Sequence, residues 1–497
     1  MTEQLNLFTP EQIDEISQQN IIQKIKQQPH ILIKLQENAL TVATNLRDNY
    51  FKNTADLIAF LQEQNQNQNL FKIENVNNPQ WSDFKNEVVT FIDGGVGKIE
   101  MESPVPVLIR VGSYKVKTGE HDISKREEFA YYPIIFGDLE GGSQERKDFV
   151  DIVRITSELL GAIAALERTP DLKVLMIHGP LVYMMSAYAG HTPFTEQDID
   201  LFLGHYAGSE KFAQKLKEDF LKDAKLSYPK MTSHHQDLID KRLFEPLTWI
   251  TFLYKRLIKE AKNSKRIIKP LIMGVIERNN LKEFNFRMFS KIFDDLRKSN
   301  QGDYFNKLYG RSDLNDPKVL LDRLNYTDTL LLSMLLETQE FSEPWEISNK
   351  YENLGKGKIY LPNESSEKDY DWKYLKPSNR KFSFPRVTGF YLKVNDTTEP
   401  VRIEVFSELG KEQITEAAKR VFLYSQLLPG YGFPVGLDVV DKYAKVPKWM
   451  TDAYEKQIKY HLGVSLQSSQ ITDEEMRKML IQSIYMTKRD WLFRPSI

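Results

Sequence analysis

The chain has no cysteine among its 497 residues, which excludes disulfides, thiolate-bound zinc and iron–sulfur clusters. Net charge is nearly absent too: 67 basic residues against 69 acidic ones leave a formal −2. That excludes a protein coating nucleic acid through bulk charge, so any contact with a polyanion must come from a local basic patch or channel. No apolar stretch approaches the length of a membrane span, and the polar start from Thr2 to Gln4 lacks the basic-then-apolar pattern of a signal peptide. A cytoplasmic protein without membrane association is therefore expected. No internal repeat stands out, and the short Asn/Gln run from Gln62 to Asn69 reads as a polar loop. What is present is ample core material: 41% hydrophobic and 11% aromatic residues suit a large folded enzyme without selecting one.

The most informative stretch is Val88-Val89-Thr90-Phe91-Ile92-Asp93-Gly94-Gly95, an apolar β-rich run ending in a carboxylate and two glycines. A buried strand would hold Asp93 rigidly as a metal ligand at its end, and the glycines would let a phosphate backbone approach. Asp-Gly is equally a hairpin-turn signal. A helix follows from Asp148 to Glu167, with Phe149, Ile152, Val153, Leu160, Ile163 and Leu166 at helical spacing. On it Glu158 lies among the small residues Ser157, Gly161, Ala162 and Ala165, and it needs a partner. That partner is either a metal or Arg154, one turn earlier.

Next, Lys173-Val174-Leu175-Met176-Ile177 reads as a buried strand ending in His178-Gly179-Pro180-Leu181, again with a potential ligand at the end. Far along the chain, Arg402 to Phe406 reads as a strand and Glu412 to Leu427 as a helix. Gly430 to Leu437 then opens a short helix carrying Asp438, Asp441 and Ala444, with Pro434 suited to its start.

In this order the motifs resemble those of the NurA nucleases, over roughly residues 85 to 447 with large insertions. The family's strand-end Asp-Gly-Ser appears as Asp93-Gly94-Gly95, its Arg…Glu helix as Arg154 and Glu158, and its second Asp-Gly-Ser/Pro-Leu as His178-Gly179-Pro180-Leu181. Its Arg-x-Glu strand appears as Arg402 and Glu404, and its final Tyr-Pro-x-Pro-Leu-x-x-Ala-His segment as Phe433 to Asp441. Two positions depart in a compensating way: His178 stands where the family has aspartate, and Asp441 where it has histidine. Three carboxylates and one imidazole remain, a set suited to Mn²⁺ or Mg²⁺.

The resemblance implies an α/β, RNase H-like mixed sheet flanked by helices. It implies a nuclease that cleaves DNA through Asp93, Glu158, His178 and Asp441, with Asp438 as the alternative to Asp441, at a two-metal site. It further implies 5′→3′ exonuclease and single-strand endonuclease activity, a homodimer, and a HerA-type hexameric ATPase partner in DNA end processing or anti-phage defence. The alternative is an inactive dimeric adaptor of the same fold, capping the translocase.

The organisation expected is a mostly helical N-terminal region at 1–84, a core in two parts at 85–190 and 269–450, a charged helical insertion at 191–268 and a helical tail at 451–497. Tyr254 to Lys269 reads as a basic helix, either lining a DNA channel or simply solvated. Trp372 to Arg386 interleaves basic and aromatic residues, a combination that holds single strands, although an edge hairpin with core-facing rings fits equally. Arg278, Lys373, Lys376, Arg380, Lys381 and Arg402 are the expected DNA contacts.

Overall fold

The computed structural model describes residues 29–99, 107–136, 143–182, 194–227, 246–277, 279–347, 385–410, 412–428, 430–467 and 473–485, with residues 23 and 471. The chain forms two compact units, one of Met1–Lys72 with Leu281–Leu335 and the other of Ile73–Asn280 with Leu336–Ile497.

The first unit is helical, with Pro29–Asn45 continued through a π-turn at Leu46–Phe51 into Lys52–Gln68, and then Glu283–Lys298, Tyr304–Tyr309, Pro317–Leu324 and Asp328–Leu335. The run expected as a polar loop at Gln62–Asn69 is instead the end of a helix, closed by Asn69 in the left-handed conformation (φ 51°). Glutamine is a good helix former, and asparagine tolerates that closing conformation. Residues 281–335 join the N-terminal helices rather than the core expected at 269–450. Their apolar stripe explains why: Phe293 stacks on Phe305, and Phe60 of the N-terminal segment stacks on Tyr304 at 4.5 Å. Fully buried Asp328 accepts the Phe284 and Asn285 N–H groups at 3.1 and 2.9 Å, placing a negative charge on the start of the helix it caps.

The second unit is built on a ten-stranded mixed sheet. Its strands are β1 (Ile73–Asn75), β2 (Val88–Lys98), β3 (Val107–Lys117), β4 (Glu127–Phe136), β5 (Leu172–His178), β6 (Leu271–Ile276), β7 (Glu340–Ser342), β8 (Trp345–Glu346), β9 (Val387–Leu392) and β10 (Val401–Phe406). The order is β1-β7-β9-β10-β6-β5-β2-β3-β4, with β8 beside β9. β5 runs parallel to both β2 and β6, while β2, β3 and β4 form an antiparallel meander. The central strands read as continuous apolar runs because both of their faces are covered.

Three helices cover the strands that matter here, and a fourth packs on the first of them. α1 (Ser143–Arg168) packs on β2, β3 and α2 (Pro246–Ala261); α3 (Glu412–Gln426) packs on β10 and β6; α4 (Val435–Ala444) packs on β2, β3 and β5. Successive strand residues face opposite ways. A Cβ at Gly94 would meet Glu158 of α1, and one at Gly95 would meet Ala444 of α4, so α1 and α4 lie on opposite faces of β2. Among the described residues no helix is long and apolar enough to cross a membrane.

Candidate metal centre

β2 does not end at Asp93, nor does the chain turn there: the strand runs on to Lys98, paired residue by residue with β3. What ends is its other neighbour, since the β2–β5 pairing stops at Ile92 opposite Ile177. Asp93 and His178 are the next residues along those parallel strands, and His178 Nδ1 lies 3.3 Å from Asp93 Oδ2. The glycines after Asp93 also serve a different purpose from the one expected. A Cβ at Gly95 would come within 2.1 Å of the Ala444 carbonyl oxygen, and one at Gly94 within 2.4 Å of Glu158 Oε1. These positions admit the protein's own helices, not a phosphate backbone.

The close seating of α4 brings Asp441 to the same face as Asp93. One ligand atom from each of Asp93, His178 and Asp441 lies within 4.8 Å of the others. Asp438, the alternative donor, is otherwise engaged: it accepts the Tyr431 hydroxyl at 2.9 Å and the Lys442 ammonium at 2.6 Å. Glu158 stands apart from the three. It comes from α1 on the opposite face, nearly fully buried, and accepts Arg154 Nη1 at 2.6 Å. The ordinary i,i+4 ion pair is thus present.

The electrostatics describe crowded negative charge. Burial pushes the Glu158 carboxyl up to about 7; the Arg154 charge opposes this and Asp93 adds to it. Burial also raises the Asp441 carboxyl, with the Asp93 charge acting in the same direction. For His178 burial acts downward, but the hydrogen bond and charge of Asp93, with Asp441 and Glu158 behind, leave it raised. Phe433 closes the site, its ring centroid 5.5 Å from that of His178. Its position two residues before the helix reveals nothing of this contact in the sequence.

Two carboxylates and an imidazole converging from β2, β5 and α4 make a hard-to-borderline donor set, with one donor atom from each close enough together to hold a divalent ion. A cation would also offset the Asp93 charge, which adds to the effect of burial in raising Asp441 and Glu158. The residues present therefore fit Mn²⁺ or Mg²⁺.

The expected DNA contacts fare differently. Arg402 is corrected outright: it is fully buried, donates Nε to Glu404 Oε1 at 2.9 Å with Nη2 2.8 Å from the same oxygen as an ion pair, and lies 5.5 Å from the Trp345 ring centre. A strand covered on both faces leaves it no route to solvent. Arg278, Lys373, Lys376, Arg380 and Lys381 lie outside the described residues. In the basic segment 254–269, Arg256 is buried and bonded to Asp219 and Glu260, while Arg266 donates to the Leu166 and Thr169 carbonyls at 2.7 and 2.8 Å. Those two cations hold the protein together.

Residues 297–446 match the NurA domain, a span that contains Arg402, Glu404, Asp438 and Asp441. No curated protein matches the chain in sequence. Among solved structures, the chain is similar to the NurA nuclease from Sulfolobus solfataricus, at 13% identity and a TM-score of 0.44, over 88% of this chain and 97% of that one. It is also similar to a NurA structure with dAMP and manganese bound, at 11% identity and a TM-score of 0.37, over 83% of this chain and 94% of that one. The match to the NurA domain thus covers the segment that contains α3 and α4, the latter carrying Asp441.

Proposed function

We propose that the protein is a divalent-metal-dependent nuclease that hydrolyses DNA phosphodiester bonds. The observation that carries this reading is the convergence of Asp93, His178 and Asp441 from three separate elements, in a chain with a NurA domain. One or two bound Mn²⁺ or Mg²⁺ ions would offset the phosphate charge and acidify the attacking water. The protein's own residues do the rest. Asp93 and Asp441 would supply the negative charge to hold the cation, and the β2 and α4 backbones fix their separation. His178 is held in place by Asp93 on one side and the Phe433 ring on the other. Glu158, titrating at about 7, can take up and release a proton at neutral pH from beyond Gly94.

The finer reading is a 5′→3′ exonuclease with single-strand endonuclease activity, working as a cytoplasmic homodimer in DNA end resection or antiviral defence. Its support is the family resemblance. A HerA-type hexameric ATPase would supply the motor, because Gly94-Gly95-Val96-Gly97-Lys98 lies within β2 and offers no phosphate-binding loop. The second reading, a non-catalytic dimeric adaptor, draws on one observation: Glu158 is paired with Arg154 and is not among the three converging donors.

Calorimetric titration with Mn²⁺, alongside cleavage of end-labelled linear DNA, separates the two. The nuclease binds the ion and cleaves, and Asp93→Asn keeps the fold while losing more than about nine-tenths of the cleavage. Wild-type protein that neither binds Mn²⁺ nor cleaves DNA is the adaptor.

A further inference from the structure

Glu404 is buried in the middle of β10 and is not among the converging donors. It sits opposite Gly274 of β6, on the same face. A Cβ on Gly274 would lie 2.6 Å from both the Gly179 carbonyl oxygen and the Leu181 nitrogen, so the turn after His178 folds directly over this gap. There the Leu181 N–H donates to Glu404 Oε2 at 3.0 Å, while Arg402 holds the other carboxylate oxygen. The turn has a second tie, from the Gly179 N–H to the Val275 carbonyl at 2.8 Å, and Gly179 itself takes a φ of 99°, which favours glycine. His178 is the residue immediately before this pinned turn.

We infer that Glu404 is a positioning residue that sets the place of His178 in the metal cluster, acting through the Leu181 N–H. The inference rests on the proposed metal site, but its first readout needs no metal. A backbone amide bonded to a buried, charge-held carboxylate is a rigid tie, and such outer partners of a ligand are commonly worth 10–100-fold in metal affinity.

The test compares two double variants that both remove the buried ion pair. Arg402→Met with Glu404→Gln keeps an acceptor for Leu181, whereas Arg402→Met with Glu404→Met removes it. Glu404→Asp is a third variant, which keeps a charge partner for Arg402 but is one methylene too short to reach the turn. In the metal-free proteins, histidine side-chain ¹⁵N spectra report the His178–Asp93 contact, with the His178 signal assigned by its loss in His178→Gln.

The expected result is a wild-type-like His178 signal in the glutamine pair and a displaced one in both the methionine pair and Glu404→Asp. Calorimetry should then give Mn²⁺ binding at least about tenfold weaker in the two displaced variants than in the glutamine pair. Identical His178 signals in all three folded variants overturn the inference, as does a displaced signal with unchanged Mn²⁺ affinity. Wild-type protein that fails to bind Mn²⁺ refutes the metal site instead, and the spectra still decide whether Glu404 positions His178.

Discussion

Glu158→Gln should make the metal-free protein more stable in a pH-dependent way. In the folded protein this carboxyl titrates at about 7 against an ordinary 4.5, because burial penalises its charged form more than Arg154 favours it. The unfolded chain therefore loses its proton first as pH rises. A folded value raised in this way contributes stability that is fully present below about pH 4.5 and lost as pH climbs through about 7. The displacement corresponds to about 3 kcal/mol, most of which is lost between about pH 5 and pH 8. Asp441 and His178 are raised as well, so their contributions have the same sign.

Glutamine has nothing to titrate. Urea unfolding in the presence of a chelator should therefore show a gap between the variant and the wild type that widens by about 2–3 kcal/mol from about pH 5 to about pH 8. The difference between the two proteins is the quantity to read, because the chain holds two compact units that need not unfold together. A gap constant to within about 0.5 kcal/mol would refute the reasoning, since it would place an ordinary carboxyl at position 158.

Three further outcomes follow from the site. Asp441→Asn should weaken Mn²⁺ binding at least about tenfold, while Asp438→Asn should change it less than about threefold, because Tyr431 and Lys442 already occupy Asp438; calorimetry that reverses this order makes Asp438 the ligand. Gly95→Ala should cost about 2–3 kcal/mol in thermal unfolding, since its Cβ would collide with the Ala444 carbonyl and lift α4 from the sheet, and an unchanged melting temperature would count against that packing. His178→Asp and Asp441→His should each impair DNA cleavage, and the double variant should partly recover it; purely additive losses would show that the two side chains do not share a cluster.

Much of the second unit could be read from local pattern. Val88–Ile92, Val174–Ile177, Leu271–Ile276 and Val401–Phe406 are apolar runs because β2, β5, β6 and β10 are covered on both faces, and burial leaves that mark in any sequence. The spacing of Ile152, Val153, Leu160 and Ile163 similarly marked α1, and Pro434 marked the start of α4. The site residues were visible as polar interruptions of those patterns. Their arrangement was not.

Whether Asp93 closes a strand or lies within one depends on β3, whose pairing carries β2 on to Lys98. The choice of Asp441 over Asp438 depends on Tyr431 and Lys442 taking up the latter, and the separation of Glu158 from the other donors depends on which face of β2 each helix covers. Arg402 looked like a surface cation because a basic side chain is costly to bury, and in the folded sheet the Glu404 carboxylate offsets part of that cost. Hydrophobic periodicity is a property of neighbours in sequence, so the chain alone marked the buried central strands, the helices α1 and α4 and the residue types at the site. Burial of a charge and the face a donor occupies depend on which strands and helices pack together, such as β10 with β6 and α4 with β2, whose residues lie far apart in the chain, and those only the tertiary structure decided.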